Sequence, residues 1–316
     1  MLIQFLRGIK PGVSLTLGML FIIAWMISGR STDIAPVSIL SLNIPPSILL
    51  LFQGILIIGL GLWLNNLVIE SQLLNRSQSY TLAFFLLLYM GIPGITVHLK
   101  YTLALYPIVF ALQQLFGSYY QSFPSLAVFN ASLGFGLAAL LAPEYLPFLL
   151  VVPVTMISFG HIEWRLWFIW VLGLCSIFVM AYMLGLHLIF IEHPFHEVMI
   201  AAVIDGVYVP SLGPWELVIL VFDLGLFIWA FIELIFNLGK KKIFNRKLFH
   251  IQIAMILLSL IAFAFSPPKD IGSLVALAIP SSMILANLFH YFFVQRWFDL
   301  LLLFWLILIV SGLFFS

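Results

Sequence analysis

From Pro46 to Val68 the chain runs for 23 residues without a charged side chain, and similar apolar runs recur along its length. A helix rises about 1.5 Å per residue, so about 20 such residues cross the roughly 30 Å hydrocarbon core of a bilayer. Within lipid only helices and closed barrels satisfy every backbone N–H and C=O. Runs of this length point to helices. The candidate spans are 11–28, 46–68, 80–97, 99–116, 125–142, 144–160, 164–190, 212–237, 249–266, 271–289 and 297–315. The expected fold class is therefore all-α. It is a polytopic helical membrane protein with about eleven transmembrane helices (range nine to twelve), as one integral membrane domain over residues 1–316 and no soluble domain. The third to sixth runs are short, closely spaced and broken by proline or glycine, so one pair could form a re-entrant hairpin.

Composition excludes the alternatives. Of 316 residues, 64% are apolar and 8% charged, against about 25% charged in a soluble domain. A net charge of +1 supplies no basic field, so no nucleic acid is expected as a partner. The single cysteine, Cys175, rules out an intrachain disulfide and reads as a small core residue. Arg7 and Lys10 precede an apolar run from Val13 to Ile27 with no small-x-small cleavage site after it, so this segment reads as a retained first helix. Gly239-Lys240-Lys241 lacks the upstream glycine and the hydroxyl of a phosphate-binding loop, which argues against an ATP-driven pump.

Positive charge orients the spans. With a cytoplasmic N-terminus and alternating spans, Arg7, Lys10, Arg76, Arg165, Lys240, Lys241, Lys242, Arg246, Lys247 and Arg296 fall inside. Arg30, Lys100 and Lys269 fall outside. The cluster from Lys240 to Lys247 pins the topology most firmly and suits a loop beside anionic headgroups.

Every Lys and Arg lies at a span end or in a loop, so the charges that need explaining are acidic. Asp223 falls near the middle of the eighth span, where a charged Asp costs about 2.5–3.5 kcal/mol on insertion scales. It is expected to hold its proton, to be hydrogen-bonded, or to face a wet cavity. Glu216, seven residues earlier, lies on nearly the same helical face, and the two could form an ion or proton site. Glu233 and Asp299 lie nearer the cytoplasmic ends, within easier reach of water.

The outer loop after the seventh span carries Glu192-His193-Pro194-Phe195-His196-Glu197. Pro194 suits the first turn of a short interfacial helix and Asp205-Gly206 its end. His193, His196 and Glu197 would then lie within about one turn, the residue types that general acid/base catalysis requires, with His187 and His98 on the same side. Their spacing is not that of a metal-binding His-Glu-x-x-His helix, so no metal site is expected there. No cofactor is indicated. On the inner side, Glu163 and Arg165 open the seventh span between Trp164 and Trp167, as an interfacial anchor or a lipid-headgroup site. Asp33 is a lone acid in a short first outer loop. Gln53, Asn65, Asn66, Gln113, Gln114, Asn130, Gln252 and Asn287 fall within spans and must find partners on other helices or in water. Pro93, Pro107, Pro153 and Pro280 interrupt spans, as broken helices beside cavities do.

Several short motifs follow one another along the chain. They are Asn130-Ala131-Ser132-Leu133-Gly134, Pro143-Glu144-Tyr145, Glu163-Trp164-Arg165-Leu166-Trp167, Asn245-Arg246-Lys247-Leu248, Ala278-Ile279-Pro280-Ser281-Ser282 and Gln295-Arg296-Trp297. From about residue 120 onward this order resembles an uncharacterised family of multi-pass inner-membrane proteins from Bacteroidetes. The resemblance implies a bacterial inner membrane and a chain made almost wholly of helices, and it assigns no functional residue.

Three functions fit these residues. One is the handling or transfer of lipid-linked cell-envelope precursors, with His193, His196 and Glu197 as acid/base groups and Arg165 holding phosphate. Another is a proton- or cation-coupled secondary transporter built around Asp223 and Glu216. The last is a structural or assembly subunit of a membrane complex. The expected partners are membrane lipids and, for the last reading, other subunits.

Overall fold

The apolar runs become helices. The computed structural model describes residues 18, 21–22, 25, 37–39, 42–44, 46–73, 80–92, 99–121, 124–183, 213–264, 271–291, 301–309 and 311. Residues 18, 21, 22 and 25 are helical. The helices that follow are α1 (Pro46–Glu70), α2 (Tyr80–Gly91), α3 (Leu99–Ser118), α4 (Ser125–Leu141) and α5 (Val151–Phe159). Then come α6 (Trp164–Met183), α7 (Pro214–Asn237), α8 (Ile243–Ala264), α9 (Ala278–Tyr291) and α10 (301–309). Among the described residues five helical stretches are long and apolar enough to cross a membrane: Ser47–Glu70, Trp164–Met183, Pro214–Lys240, Ile243–Ala264 and Gly272–Phe289. Tyr80–Gly91, Ser125–Leu141 and Pro143–Phe159 are shorter apolar helices.

One element departs from an all-α chain. β1 (Val37–Ile39) pairs antiparallel with β2 (Leu42–Ile44) in a two-stranded ribbon, with Val37 opposite Ile44 and Ile39 opposite Leu42. Its β-branched Val37, Ile39 and Ile44 favour extended backbone, and the segment lies between helical stretches rather than within one.

The helices are apolar on every face, as lipid requires. On α1, Leu50, Ile57, Leu60 and Leu64 are buried, while Leu51, Phe52, Ile55 and Leu62 are exposed. Cys175 likewise lies on the exposed side of α6 and not in a core. An apolar environment outside the protein removes the usual pressure to hide such a residue. Hydroxyls within helices are satisfied locally. Ser132, Thr155, Ser176 and Ser259 each donate to the carbonyl four residues earlier, at 2.7–2.8 Å.

The chain divides into two compact units. Unit one comprises Met1–Thr102, Ser211–Gly239 and Ser281–Ser316; unit two comprises Leu103–Pro210 and Lys240–Pro280. Within unit one, Trp25 packs against Gly54 and donates from Nε1 to the Leu50 carbonyl at 3.1 Å. A Cβ on Gly54 would come within 3.1 Å of the Trp25 ring, so the glycine lets the indole seat closely on α1. Beside it, Gln53 Nε2 donates to Thr102 Oγ1 at 3.2 Å, and the Tyr89 and Thr102 hydroxyls bond at 2.5 Å. This buried network answers the demand that an amide inside a span find partners.

Within unit two, small residues let α4 and α6 approach closely. A Cβ on Gly173 would lie 2.7 Å from Ser132 Cβ and 3.1 Å from the Phe129 carbonyl oxygen. Asn130 Nδ2 donates to Gln114 Oε1 at 3.5 Å. Proline shapes the next segment: Pro143 and Pro147 lie in a 3₁₀ turn, Pro143–Leu150, that leads into α5. Gly160 closes α5 with φ 83°, and the His161 N–H bonds the Met156 carbonyl at 2.9 Å. A second 3₁₀ turn, Ile271–Leu277, leads into α9. Helix α8 starts at Ile243, six residues before the apolar run at 249, because Lys and Arg are good helix formers whose heads can reach water from a helix end.

Candidate functional site

Helix α7 buries a stripe of Ile219, Leu226, Ala230 and Leu234, at spacings of three or four residues and their multiples. Asp223 falls in that stripe, four residues after Ile219 and three before Leu226. Helical geometry thus turns this carboxyl toward protein.

Opposite it, α2 ends at Gly91. A Cβ on Gly91 would overlap Asp223 Oδ2 and approach Ile219 Cγ2 to 3.4 Å. The glycine therefore makes the space that the carboxyl fills. The indole of Trp305, on α10, lies beside Asp223. Trp305 is fully buried, stacked on Phe84 at 5.9 Å between ring centroids and edge-on to Phe222 at 6.1 Å. Phe84 also packs on Phe289 at 4.6 Å. The aromatic wall fixes the indole, so its position is set independently of the acid.

Within this setting, Asp223 Oδ1 is sealed and has no hydrogen-bond partner. Trp305 Nε1 is sealed and unpartnered as well. The two are neighbours, yet they do not form a bond of good geometry. Leaving a buried polar group unsatisfied costs about 1–3 kcal/mol, and more for a charge. The carboxyl oxygen could take a proton or a cation, and a polar group that both donates and accepts would satisfy it together with the indole N–H.

Glu216 is engaged differently. It lies in the first turn of α7, where its Oε2 accepts from the Gly213 N–H at 2.9 Å. Pro214 begins the helix with a ring that has no N–H to leave unsatisfied. Glu216 and Asp223 share a face of α7, as their spacing predicts, but they are about 10 Å apart along the axis at 1.5 Å per residue. Near the other end, Glu233 Oε1 accepts from Asn237 Nδ2, also within the helix.

Glu163 and Arg165 are both exposed, Glu163 just before α6 and Arg165 in its first turn, on either side of an exposed Trp164. No ion pair joins them. His193, His196, Glu197, His187, His98, Asp33 and Asp299 lie outside the described residues. Among the described residues no group of three or more His, Cys, Asp and Glu side chains gathers as a metal site would require. Gln252, on α8, is fully buried with neither amide atom bonded.

Gly91 and Trp305 were not legible as site residues. Each reads locally as ordinary span material, and each contributes through contact with α7 from far away in sequence. Fold and site together define a helical membrane protein in which Asp223, with its Oδ1 sealed, lies on one of the five membrane-length helices among the described residues. Compared with protein-family models, with curated proteins and with solved structures, the chain matches none.

Proposed function

We propose that the protein is a secondary transporter of the bacterial inner membrane in which Asp223 exchanges a proton or a cation. The observation that carries this reading is the sealed Asp223 carboxylate oxygen beside an equally unpartnered indole N–H on a membrane-length helix. An ionisable residue at membrane depth is costly and is retained where transport or proton relay needs it. The 3₁₀ turns Pro143–Leu150 and Ile271–Leu277, which lead into helices, are in keeping with the irregular helices of transporters.

The finer topology belongs to the same proposal: about eleven spans with a cytoplasmic N-terminus. Support for the count comes from helical residues in every one of the eleven apolar runs. Support for the alternation of spans comes from unit two, where three turns expected on one side of the membrane meet, and the orientation rests on the positive charge. Tyr119 contacts Phe159 at 5.1 Å and Phe244 at 4.7 Å between ring centroids.

The test uses the purified full chain in proteoliposomes containing a pH-sensitive dye, under an imposed outside-acid gradient. A panel of amino acids, sugars, organic acids and organic cations is added in turn. Solute-dependent acidification of the lumen is expected, lost in Asp223→Asn and retained in part by Asp223→Glu. Gly91→Ala, which crowds the carboxyl without changing charge, is expected to lower the same flux. Flux that is identical in Asp223→Asn, or no solute-dependent flux with the unaltered protein, overturns the reading.

A second reading is the handling of lipid-linked cell-envelope precursors. It is favoured by the exposed Arg165 beside the exposed Trp164 at the head of α6, a pairing suited to a phosphate at the membrane surface. His193, His196 and Glu197 would supply its acid/base groups. Envelope glycans and lipids unchanged by Ala at all three loop positions would remove it.

A further inference from the structure

Helix α2 stops inside an apolar run. It ends at Gly91, Ile92 is already bent out of it, and the run goes on to residue 97. Its 12 residues cover about 18 Å at 1.5 Å per residue, short of the roughly 30 Å of hydrocarbon. Pro93 has no N–H to offer the Tyr89 carbonyl four residues before it. The carbonyls of Tyr89, Met90 and Gly91 thus lie past the last regular donor of the helix. Such an end also carries about half a negative charge from the aligned peptide dipoles.

Asp223 meets this end. Its Oδ2 fills the place that a Cβ on Gly91 would take. It lies about 14 Å along α7 from Pro214, so the contact falls well inside a 24-residue helix. A carboxylate against a helix C-terminus sets negative charge on negative charge. The last turn of α2 carries no basic residue to offset it. Tyr89, the titratable side chain of that turn, bonds Thr102 instead. The other acids of α7 are Glu216, held by the Gly213 N–H, and Glu233, which accepts from Asn237. Helix α10 (301–309) has no titratable side chain.

We propose that the end of α2 and the Asp223 carboxyl form a binding site for one sodium ion, which competes there with a proton. Hard cations take oxygen ligands, carboxylates and backbone carbonyls among them. Asp223 Oδ2 and the carbonyls of the last turn of α2 are ligands of that class. Broken membrane helices coordinate sodium through their C-terminal ends in the same way. One carboxylate and a helix end neutralise a single positive charge, which favours a monovalent ion over calcium. Consistently, no group of three or more His, Cys, Asp and Glu side chains gathers among the described residues. The close approach at Gly91 favours a small ion over potassium. With the ion on Oδ2 the carboxyl is ionised, and Oδ1 is left to accept from Trp305 Nε1. Both sealed, unpartnered atoms are then satisfied together. The site rests on the transport reading for its purpose, while its occupancy is measurable without transport.

The test measures binding of radioactive sodium chloride to the purified full chain in neutral detergent, first at alkaline pH and then as the pH is lowered. Saturable binding of one ion per chain is expected, displaced as the pH falls and displaced by lithium more readily than by potassium or calcium. Asp223→Asn is expected to abolish it. Gly91→Ala, which keeps every charge, is expected to weaken it about tenfold. Trp305→Phe is expected to weaken it severalfold and to remove the sodium-dependent change in tryptophan fluorescence, and it serves alone if Gly91→Ala fails to fold. Glu233→Gln, which takes an acid from the same helix, leaves binding unchanged. No saturable binding by the unaltered protein, equal binding in Asp223→Asn, or an equal loss in Glu233→Gln overturns the site. Potassium or calcium bound more tightly than sodium overturns the ion. Solute flux without sodium binding removes the sodium site and leaves the transport reading. Sodium binding without solute flux removes the transport reading and leaves the site.

Discussion

Asp223 shows what a sequence can and cannot convey about one residue. Its cost is visible at once, because it lies between apolar neighbours with no Lys or Arg at its depth. That it shares a face with Ile219 and Leu226 is visible too, by spacing alone, although that this face is the buried one is not. Its surroundings are not. Gly91 and Trp305 reach it from 132 positions earlier and 82 later, a separation that no local pattern encodes. The sealed, unpartnered oxygen has an energetic consequence. Asp223→Asn keeps the volume and replaces a carboxylate by a neutral amide with two donors. Its thermal midpoint in detergent is expected to rise, by an amount equivalent to about 1–3 kcal/mol, the usual cost of an unsatisfied buried group. Functional sites commonly hold such costs in exchange for activity, so the stabilised variant should be the one that has lost flux. A midpoint that falls in Asp223→Asn would mean the carboxyl is already well satisfied.

At the scale of elements, apolar run length located the helices and left their contacts open. Each candidate span contains helical residues, yet the ends moved where chemistry other than hydropathy decides. Helix α8 extends through its basic residues to Ile243, and the segment before α5 tightens into a 3₁₀ turn around Pro143 and Pro147. Helix rotation was the illegible part. When lipid and protein are equally apolar, hydropathy cannot tell a packed face from an exposed one, which is why Cys175 reads as core and is exposed. Small residues mark the packed face better. Gly173 on α6 touches Ser132 on α4 so closely that an added Cβ would lie 2.7 Å from Ser132 Cβ. Helices in membranes associate chiefly through such close contact. Gly173→Leu is therefore expected to separate α4 from α6 and to destabilise by about 1–3 kcal/mol, the usual cost of overpacking. Cys175→Leu, two residues away on the exposed side, should leave the thermal midpoint unchanged. Equal shifts in the two variants would show that α6 packs by another face.

At the scale of the whole molecule, charge does the work that periodicity cannot. With 12 acidic and 13 basic residues in 316, the chain has few markers, and their placement is correspondingly informative. Alternating the spans from a cytoplasmic N-terminus leaves ten basic residues inside and three outside, which is the sense the positive-inside rule requires. That assignment makes the turns after α3, after α5 and before α8 all cytoplasmic. Unit two brings these three turns together through Tyr119, Tyr120, Phe159 and Phe244, from positions more than 120 residues apart at the extremes. Two independent lines, charge counting and ring packing, thus group the same segments on one side. Impermeant thiol reagents can check the side itself in a Cys175→Ser background. Tyr120→Cys and Lys242→Cys should both react in inside-out vesicles and both stay protected in intact spheroplasts. Lys100→Cys, on the opposite side by the same alternation, should react with the reverse preference. If Tyr120→Cys and Lys242→Cys react from opposite sides, an odd number of crossings lies between residues 120 and 242 and the span assignment fails. If both react only from outside, the spans stand and the orientation is inverted.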